Sequence, residues 1–252
     1  MARLLPALAA TLAIGVTSAV LSAPAGAEPN IQPVGSVSIP EGPATAWIVA
    51  DMDTGQVLAG REMYQPHPPA STIKTLLALT ALDELNLDST VVASPADTRV
   101  ECSCAGIKPG HTYTARQLLD ATLLVSGNDA ANTLADMLGG YDVAVDKMNA
   151  KAAAIGASNT HATSPSGLDG PGGAGWTTPH DLANTTAENM AAMAAQQEAE
   201  NALTMALHYL RSSASNVPGA TRKAVQALGA LNRLHLSPAA GAGARAFASL
   251  EG

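Results

Sequence analysis

Hydrophobic and polar positions follow two different periods along the chain. Between Thr45 and Gly60, two short apolar runs flank Asp53-Thr54-Gly55, a pattern that predicts a β-hairpin. The segment TLLALTALDEL, which begins at residue 75, leaves little polar surface and predicts a central, buried helix. The apolar positions assigned to its core are Ile73, Leu76, Leu77, Leu79, Leu82 and Leu85.

Further helices are predicted beyond residue 113, separated by short breaks. Thr114 is the predicted N-cap of a helix that includes LLDATLLV. The chain breaks at residues 126–128 and restarts as DAANTLADMLGG, whose glycines mark the end of a second helix. YDVAVDKMNAKAAAIG predicts a third helix, and Thr178-Pro179 predicts the start of a fourth. The stretch at 89–113 is predicted to be irregular with short strands.

The two ends of the chain differ in composition from its middle. Residues 1–27 combine one arginine, an Ala/Leu-rich run and Ala25-Gly26-Ala27. They predict a secretory signal peptide cleaved near Ala27 and a chain exported to the periplasm or cell wall. An uncleaved membrane anchor is the alternative. Residues 28–43 predict a linker, 44–183 the main folded domain, and the Ala-, Gln- and Glu-rich residues 184–252 an atypical helical tail.

Composition and charge narrow the possible partners. The chain carries a net charge of −8 and has no basic patch, which argues against nucleic-acid binding and electrostatic adhesion to anionic lipid. Membrane attachment of the tail is left open. Because aromatic residues make up only 3% of the chain, the core must rest on Ala, Leu, Val and Ile.

The two cysteines, Cys102 and Cys104, lie in the segment ECSCAG. An exported chain permits a disulfide, although the ring would be small. A redox or metal site is the alternative, but no histidine pair lies nearby and no HExxH is present. The interpretation is a structural role in a loop, with the pairing left open and with no metal or cofactor expected.

Candidate chemistry begins in PPASTIK, where Ser71 is predicted in the first turn of the central helix and Lys74 one turn further along the same face. A serine hydroxyl is a weak nucleophile until a base stands beside it. A lysine is such a base only when it is neutral, so its pKa must fall from roughly 10.4 through burial or a nearby cation. In the alternative interpretation Ser71 caps the helix and Lys74 extends to the surface.

A second candidate group is Ser126-Gly127-Asn128, in a tight turn between two helices. Ser126 and Asn128 can both face one cleft, where Ser126 would pass a proton and Asn128 would hold a substrate amide. The alternative is an ordinary glycine-containing turn with a cap on the next helix. His111, His161 and His180-Asp181 are predicted to lie outside the site.

Taken together, these motifs resemble the bacterial low-molecular-mass penicillin-binding proteins, the serine-type D-alanyl-D-alanine carboxypeptidases. The resemblance covers residues 44–183 and includes WIVADMDTGQVLAG, PPASTIK, YTARQLLDATLLVSGNDAANTLA and THATSPSGLDGPGG. It implies that residues 44–183 are the N-terminal part of a transpeptidase-like catalytic domain. It implies an α/β fold of the serine β-lactamase/transpeptidase-like class. In that fold an antiparallel sheet is flanked by helices and accompanied by a helical lobe.

The resemblance also implies a mechanism. Ser71 would attack the D-Ala–D-Ala carbonyl of a peptidoglycan stem peptide, Lys74 would take its proton, and Ser126 would relay a proton to the departing D-alanine. Asn128 would bind substrate. β-Lactams would acylate Ser71 as mimics of the dipeptide, and no cofactor or metal is involved.

One expected motif is missing. The family pattern includes Lys-Thr-Gly or Lys-Ser-Gly on a strand beside the site, and neither occurs here. Lys223, in TRKAV, is not assigned that role. A shifted reading frame, a truncation or a recombined end would explain the atypical tail. The alternatives to an active carboxypeptidase are therefore a catalytically impaired remnant that binds peptide or β-lactam and, ranked lower, a serine β-lactamase.

Overall fold

The computed structural model describes residues 42–52, 54–211 and 221–227. The predicted signal peptide, nearly all of the predicted linker and the end of the predicted tail lie outside these residues. Within the described ranges, no helix is both long enough and apolar enough to cross a membrane.

The predicted N-terminal hairpin is present. Strand β1 (Trp47–Ala50) pairs antiparallel with β2 (Val57–Arg61), with Trp47 opposite Arg61. Gly55 closes the turn with a positive φ of 72° and donates its N–H to Asp51 O at 2.8 Å. That backbone conformation suits glycine because it has no Cβ.

The helix predicted around Ser71 and Lys74 has two parts. Ala70–Ile73 form a 3-10 turn, and helix α1 runs over Lys74–Glu84. The α-helix therefore starts at Lys74, later than the sequence suggested. Ala70 has a φ of 47°, which is incompatible with a regular right-handed helix and leaves only a tight turn before α1.

A second pair of short strands precedes the helices of the middle region. Strand β3 (Thr90–Val92) pairs antiparallel with β4 (Thr112–Thr114). Helix α2 (Ala115–Leu124) follows at once. Thr114 and Gln117 form a reciprocal capping box at its start, which confirms the predicted N-cap.

Two further helices complete this region. The predicted break at 126–128 lies at residues 125–127, between α2 and the next helix, which already includes Asn128. Helix α3 runs over Asn128–Met137 and α4 over Tyr141–Ala154. Lys147 and Lys151 on α4 form ion pairs with Glu84 and Asp83 on α1.

Helix α1 lies at the centre of the hydrophobic core, as its sequence pattern predicted. It packs against α2, α3, α4 and the long helix α5 (Pro179–Arg211). The buried side chains contributed by α1 and its preceding turn are Ile73, Leu76, Leu77, Ala78, Leu79 and Ala81. Leu82 and Leu85 are only partly buried against this cluster.

Helix α5 starts at Pro179, as predicted, and continues past residue 183 without a break. Its early part is anchored to the core, since Asn189 Nδ2 donates to the Thr75 carbonyl at 2.9 Å. Residues 221–227 are also helical. Helix α5 therefore spans the predicted boundary at 183/184. The division into domains stays a prediction.

Cys102 and Cys104 are joined by a disulfide in the loop between β3 and β4. This resolves the question that the sequence left open.

Candidate active site

Four residues from distant parts of the chain meet around one amine. Lys74 Nζ lies 2.8 Å from Ser71 Oγ, 3.3 Å from Ser126 Oγ and 2.7 Å from Asn128 Oδ1. It also lies 2.9 Å from the carbonyl oxygen of Ser166. The structure therefore brings together every residue that the sequence proposed for the site. The catalytic role of each residue stays a prediction.

The 3-10 turn explains the close contact between Ser71 and Lys74. Side chains at positions i and i+3 of a 3-10 helix eclipse one another, since each turn contains three residues. The Lys74 N–H bonds to the Ser71 carbonyl and so closes this tight turn. The hydroxyl thus lies directly over the amine at the start of α1.

The break between α2 and α3 places the second pair of residues. Ser126 has a φ of 58°, a strained conformation for a residue with a side chain. A Cβ on Gly127 would lie 2.8 Å from Ala105 Cβ, so only glycine fits there. Asn128 then begins α3 and points its amide oxygen at Lys74. Strain of this kind is often found at functional sites.

Burial controls the charge of the central amine. Lys74 is 2% exposed, whereas the Ser71 side chain above it is exposed. Desolvation by burial lowers the pKa of Lys74 from 10.5 to about 8. At pH 7, roughly one tenth of the amine is then neutral. The sequence argument required such a shift, and burial supplies it.

The hydrogen-bond partners of Lys74 determine how its amine is oriented in the neutral and in the protonated form. The Asn128 amide oxygen and the Ser166 carbonyl oxygen can only accept, and a neutral amine has two N–H donors and one lone pair. Both donors are used by these two acceptors. The lone pair is left to accept the hydroxyl proton of Ser71. In the protonated amine, the third N–H instead points to Ser71 or Ser126.

Two contributors to the site were not assigned from the sequence. The carbonyl of Ser166 holds Lys74, although its side chain has no part in that contact. The Asp129 carboxylate accepts N–H bonds from Ala105, Gly106 and Ile107, and so fixes the loop beside the site. For Asp129, the sequence did offer one signal, because it is an acidic residue in the first turn of a helix, next to Asn128. For the Ser166 carbonyl it offered none.

Gly167 lies against the turn that carries the nucleophile. Its φ is +88°, and a Cβ there would lie 1.8 Å from the Ala70 carbonyl oxygen. We expect Gly167→Ala to lower the free energy of unfolding by about 2 to 5 kcal/mol through combined overpacking and backbone strain. Chemical denaturation measures this loss.

The matched control is Gly172→Ala, because a Cβ at that position meets nothing within 4 Å. It should change the unfolding free energy by less than about 0.5 kcal/mol. Equal stability of the two variants would contradict the close packing of Gly167 against Ala70.

Two histidines that the sequence analysis assigned to positions outside the site, His161 and His180, make ring contacts with aromatic residues. His161 stacks on Trp176 with ring centroids 4.5 Å apart. His180 lies 4.9 Å from the Tyr64 ring, and its neighbour Asp181 occupies the first turn of α5. Among the described residues, no group of three or more His, Cys, Asp or Glu side chains is placed to hold a metal ion.

Comparison with known proteins connects this geometry to a family. A family model described as D-alanyl-D-alanine carboxypeptidase matches residues 34–229. The D-alanyl-D-alanine carboxypeptidase DacB2 of Mycobacterium tuberculosis is 72% identical over 156 residues, which cover 62% of this chain and 54% of that protein. DacF of Bacillus subtilis is 28% identical over 131 residues, covering 50% of this chain and 34% of the relative. The chain thus spans about half or less of the length of these relatives.

Solved structures show the same fold. A crystal structure of D-alanyl-D-alanine carboxypeptidase from Mycobacterium tuberculosis matches with a TM-score of 0.63 at 70% identity, over 64% of this chain and 61% of that one. A mutant of a Streptomyces DD-transpeptidase matches with a TM-score of 0.57 at 30% identity, over 60% and 63% of the two chains. The predicted transpeptidase-like α/β fold class is confirmed.

Proposed function

Because the chain belongs to the D-alanyl-D-alanine carboxypeptidase family, we propose that it is a serine-type enzyme of this activity. It removes the terminal D-alanine from peptidoglycan stem peptides through an acyl-enzyme on Ser71. The observation that carries the proposal is the 2.8 Å contact between the Ser71 hydroxyl and the buried Lys74 amine.

Acylation follows from the arrangement around Lys74. The neutral amine accepts the Ser71 proton while the Ser71 oxygen attacks the carbonyl carbon of the penultimate D-alanine. Asn128 and Ser166 keep the two N–H groups of the amine occupied, so the lone pair faces the hydroxyl. The proton held on Lys74 then passes through Ser126, 3.3 Å away, to the departing nitrogen of D-alanine.

Deacylation returns the enzyme to its starting state. Water gives a proton to the neutral Lys74 amine and attacks the ester carbonyl. The bond to Ser71 breaks, Ser71 takes that proton back from Lys74, and the shortened peptide leaves with a new carboxyl group. β-Lactams enter the same first step because their strained amide carbonyl is open to the same attack, and they remain as an ester on Ser71.

We further propose that the chain acts outside the cytoplasmic membrane, where its wall substrate is found. The support is the signal-peptide pattern of residues 1–27. Mass spectrometry of the secreted protein should find a mature N-terminus near Glu28. A protein that keeps residues 1–27 and stays in the cytoplasm would contradict this.

The activity is tested with a synthetic pentapeptide ending in D-alanyl-D-alanine. We expect release of free D-alanine, measured with a coupled D-amino-acid oxidase assay. The matched control peptide ends in L-alanyl-L-alanine and should stay intact, which is measured by mass spectrometry of the peptide because the oxidase does not detect L-alanine. Folded protein that neither releases D-alanine nor becomes labelled by fluorescent penicillin would overturn the proposal.

A second candidate function is binding without turnover. The supporting observation is the absence from the sequence of the Lys-Thr-Gly motif that the resemblance leads one to expect. Penicillin labelling of Ser71 without any D-alanine release would favour this candidate over the carboxypeptidase.

The pKa of Lys74 predicts how the acylation rate depends on pH. The base works only when neutral, and burial holds its pKa at about 8. Below that value, the rate constant for penicillin acylation should rise close to tenfold per pH unit, and above it the rate should level off. Stopped-flow measurements with fluorescent penicillin between pH 5.5 and roughly 9.5 test this. A rate that is constant across this range would rule out Lys74 as the titrating base.

A further inference from the structure

The loop that carries the disulfide is hydrogen-bonded to the residues that begin α3. This disulfide loop, residues 101–107, wraps the start of α3, and every bond between them runs to Asn128 or Asp129. Cys102 and Cys104 are the two cysteines of the chain, and both are exposed. Neither has a role in the proposed reaction.

Asn128 depends on this loop for its orientation. Its backbone N–H donates to the Ser103 carbonyl at 2.6 Å, and its side-chain Nδ2 donates to the Glu101 carbonyl at 2.7 Å. The first N–H groups of a helix have no partner within the helix, so the loop supplies one here. With Nδ2 fixed on a carbonyl, Oδ1 is the atom left to face Lys74 at 2.7 Å.

The disulfide is adjacent to both carbonyls that hold Asn128. The Ser103 carbonyl lies inside the ring that the disulfide closes, and the Glu101 carbonyl is bonded directly to the nitrogen of Cys102. The other half of the loop is held differently, because Asp129 accepts N–H bonds from Ala105, Gly106 and Ile107. Opening the disulfide therefore frees the part of the loop that contacts Asn128 and leaves the Asp129 contacts in place.

The short loop that the disulfide closes indicates a local role for the Cys102–Cys104 bond. A disulfide that closes a short loop removes little entropy from the unfolded chain, so its contribution to overall stability is small. What it does restrict is the position of two carbonyl groups next to the proposed catalytic base.

We propose that the Cys102–Cys104 disulfide is a redox-sensitive positioning element for Asn128, and through Asn128 for Lys74. The oxidised form holds the Asn128 amide oxygen against the Lys74 amine. Reduction by a dithiol loosens this contact and slows the acylation of Ser71. This rests on the function proposed above. Asn128 is the residue that contacts the base, and the two cysteines act through it.

Reduction is a balanced thiol–disulfide exchange with a dithiol as the electron donor. One thiolate of the dithiol attacks a sulfur of the protein disulfide, forms a mixed disulfide and releases the other cysteine as a thiolate. The second thiolate of the dithiol then closes its own disulfide. The dithiol loses two electrons, and its two protons end on Cys102 and Cys104.

Activity is the first test. Treating the folded chain with dithiothreitol should lower D-alanine release from the synthetic pentapeptide by about ten- to a hundredfold, and reoxidation should restore it. The Cys102→Ser/Cys104→Ser variant should have the reduced rate already and should not respond to dithiothreitol. Full activity of the reduced wild type, with both thiols detected by mass, would overturn the proposal.

Amide hydrogen exchange is the second test and does not depend on catalysis. On reduction, exchange of the Asn128 N–H should accelerate at least about tenfold, because its bond to Ser103 is lost. Exchange of the Ala131 N–H, which bonds to the carbonyl of Gly127 just before α3, should not change. Unchanged protection of the Asn128 N–H after complete reduction would contradict the proposed positioning of Asn128 by the disulfide.

The activity test and the exchange test distinguish failure of the proposed carboxypeptidase activity from failure of the proposed role of the disulfide. If the oxidised chain neither releases D-alanine nor takes up penicillin, the proposed carboxypeptidase activity fails. The exchange experiment still decides whether the disulfide positions Asn128.

Discussion

Replacing Ser71 by alanine should abolish covalent labelling by penicillin and D-alanine release together. The variant loses the one oxygen that forms the ester, and the hydroxyl of Ser126 cannot replace it. Ser126 Oγ lies 3.3 Å from Lys74 Nζ, compared with 2.8 Å for Ser71, and its side chain is half-buried whereas that of Ser71 is exposed. Intact-mass spectrometry after incubation with benzylpenicillin should show the adduct on the wild type and none on Ser71→Ala.

The matched control for this experiment is Thr72→Ala, which removes the neighbouring hydroxyl in the same 3-10 turn. That hydroxyl donates to the Pro69 carbonyl and makes no contact with Lys74. The variant should be labelled to the same extent as the wild type. Labelling that persists in Ser71→Ala would show that another residue is the nucleophile and would contradict the proposed mechanism.

Replacing Lys74 by methionine should lower the rate constant for penicillin acylation by about 10²- to 10⁴-fold, the range expected when a general base is lost. Methionine is close to lysine in length and flexibility and is uncharged, so the buried site keeps much of its packing. The loss then measures proton transfer from Ser71. Stopped-flow fluorescence at pH 8, where about half of the wild-type amine is neutral, gives the ratio.

Two further lysine variants sharpen this test. Lys74→Arg keeps a cation at the site but cannot lose its proton at any pH used, so it should be about as slow as the methionine variant. Lys108→Met changes an exposed lysine that follows the disulfide loop and should leave acylation unchanged. Near-wild-type acylation by Lys74→Arg would mean that Lys74 acts through its positive charge and not as a base.

Much of the local structure was predictable because it depends on neighbouring residues. The Thr114 capping box needs only a Thr and a Gln at the proper spacing, and the buried face of α1 follows from consecutive apolar positions. The start of α1 was placed too early because a positive φ at Ala70 is set by contact with other parts of the chain and not by its own side chain. Gly167, packed against its carbonyl, is one such contact.

The site was predictable in its residue types but not in its full set of contacts. Ser71, Lys74, Ser126 and Asn128 could be proposed because chemistry limits which side chains act as nucleophile, base and proton relay. The Ser166 carbonyl could not, since any residue has a backbone carbonyl and its type carries no signal. The support that the disulfide loop gives to Asn128 was hidden for the same reason.

By itself, the sequence determined that a hydroxyl and an amine lie one turn apart at the start of a buried helix, because spacing along a helix is local geometry. Only the tertiary structure decided that the amine is buried with a pKa of about 8, and that Asn128 and Ser166 occupy its two N–H groups. Those properties come from desolvation and hydrogen bonds supplied by residues 54 and 92 positions away along the chain.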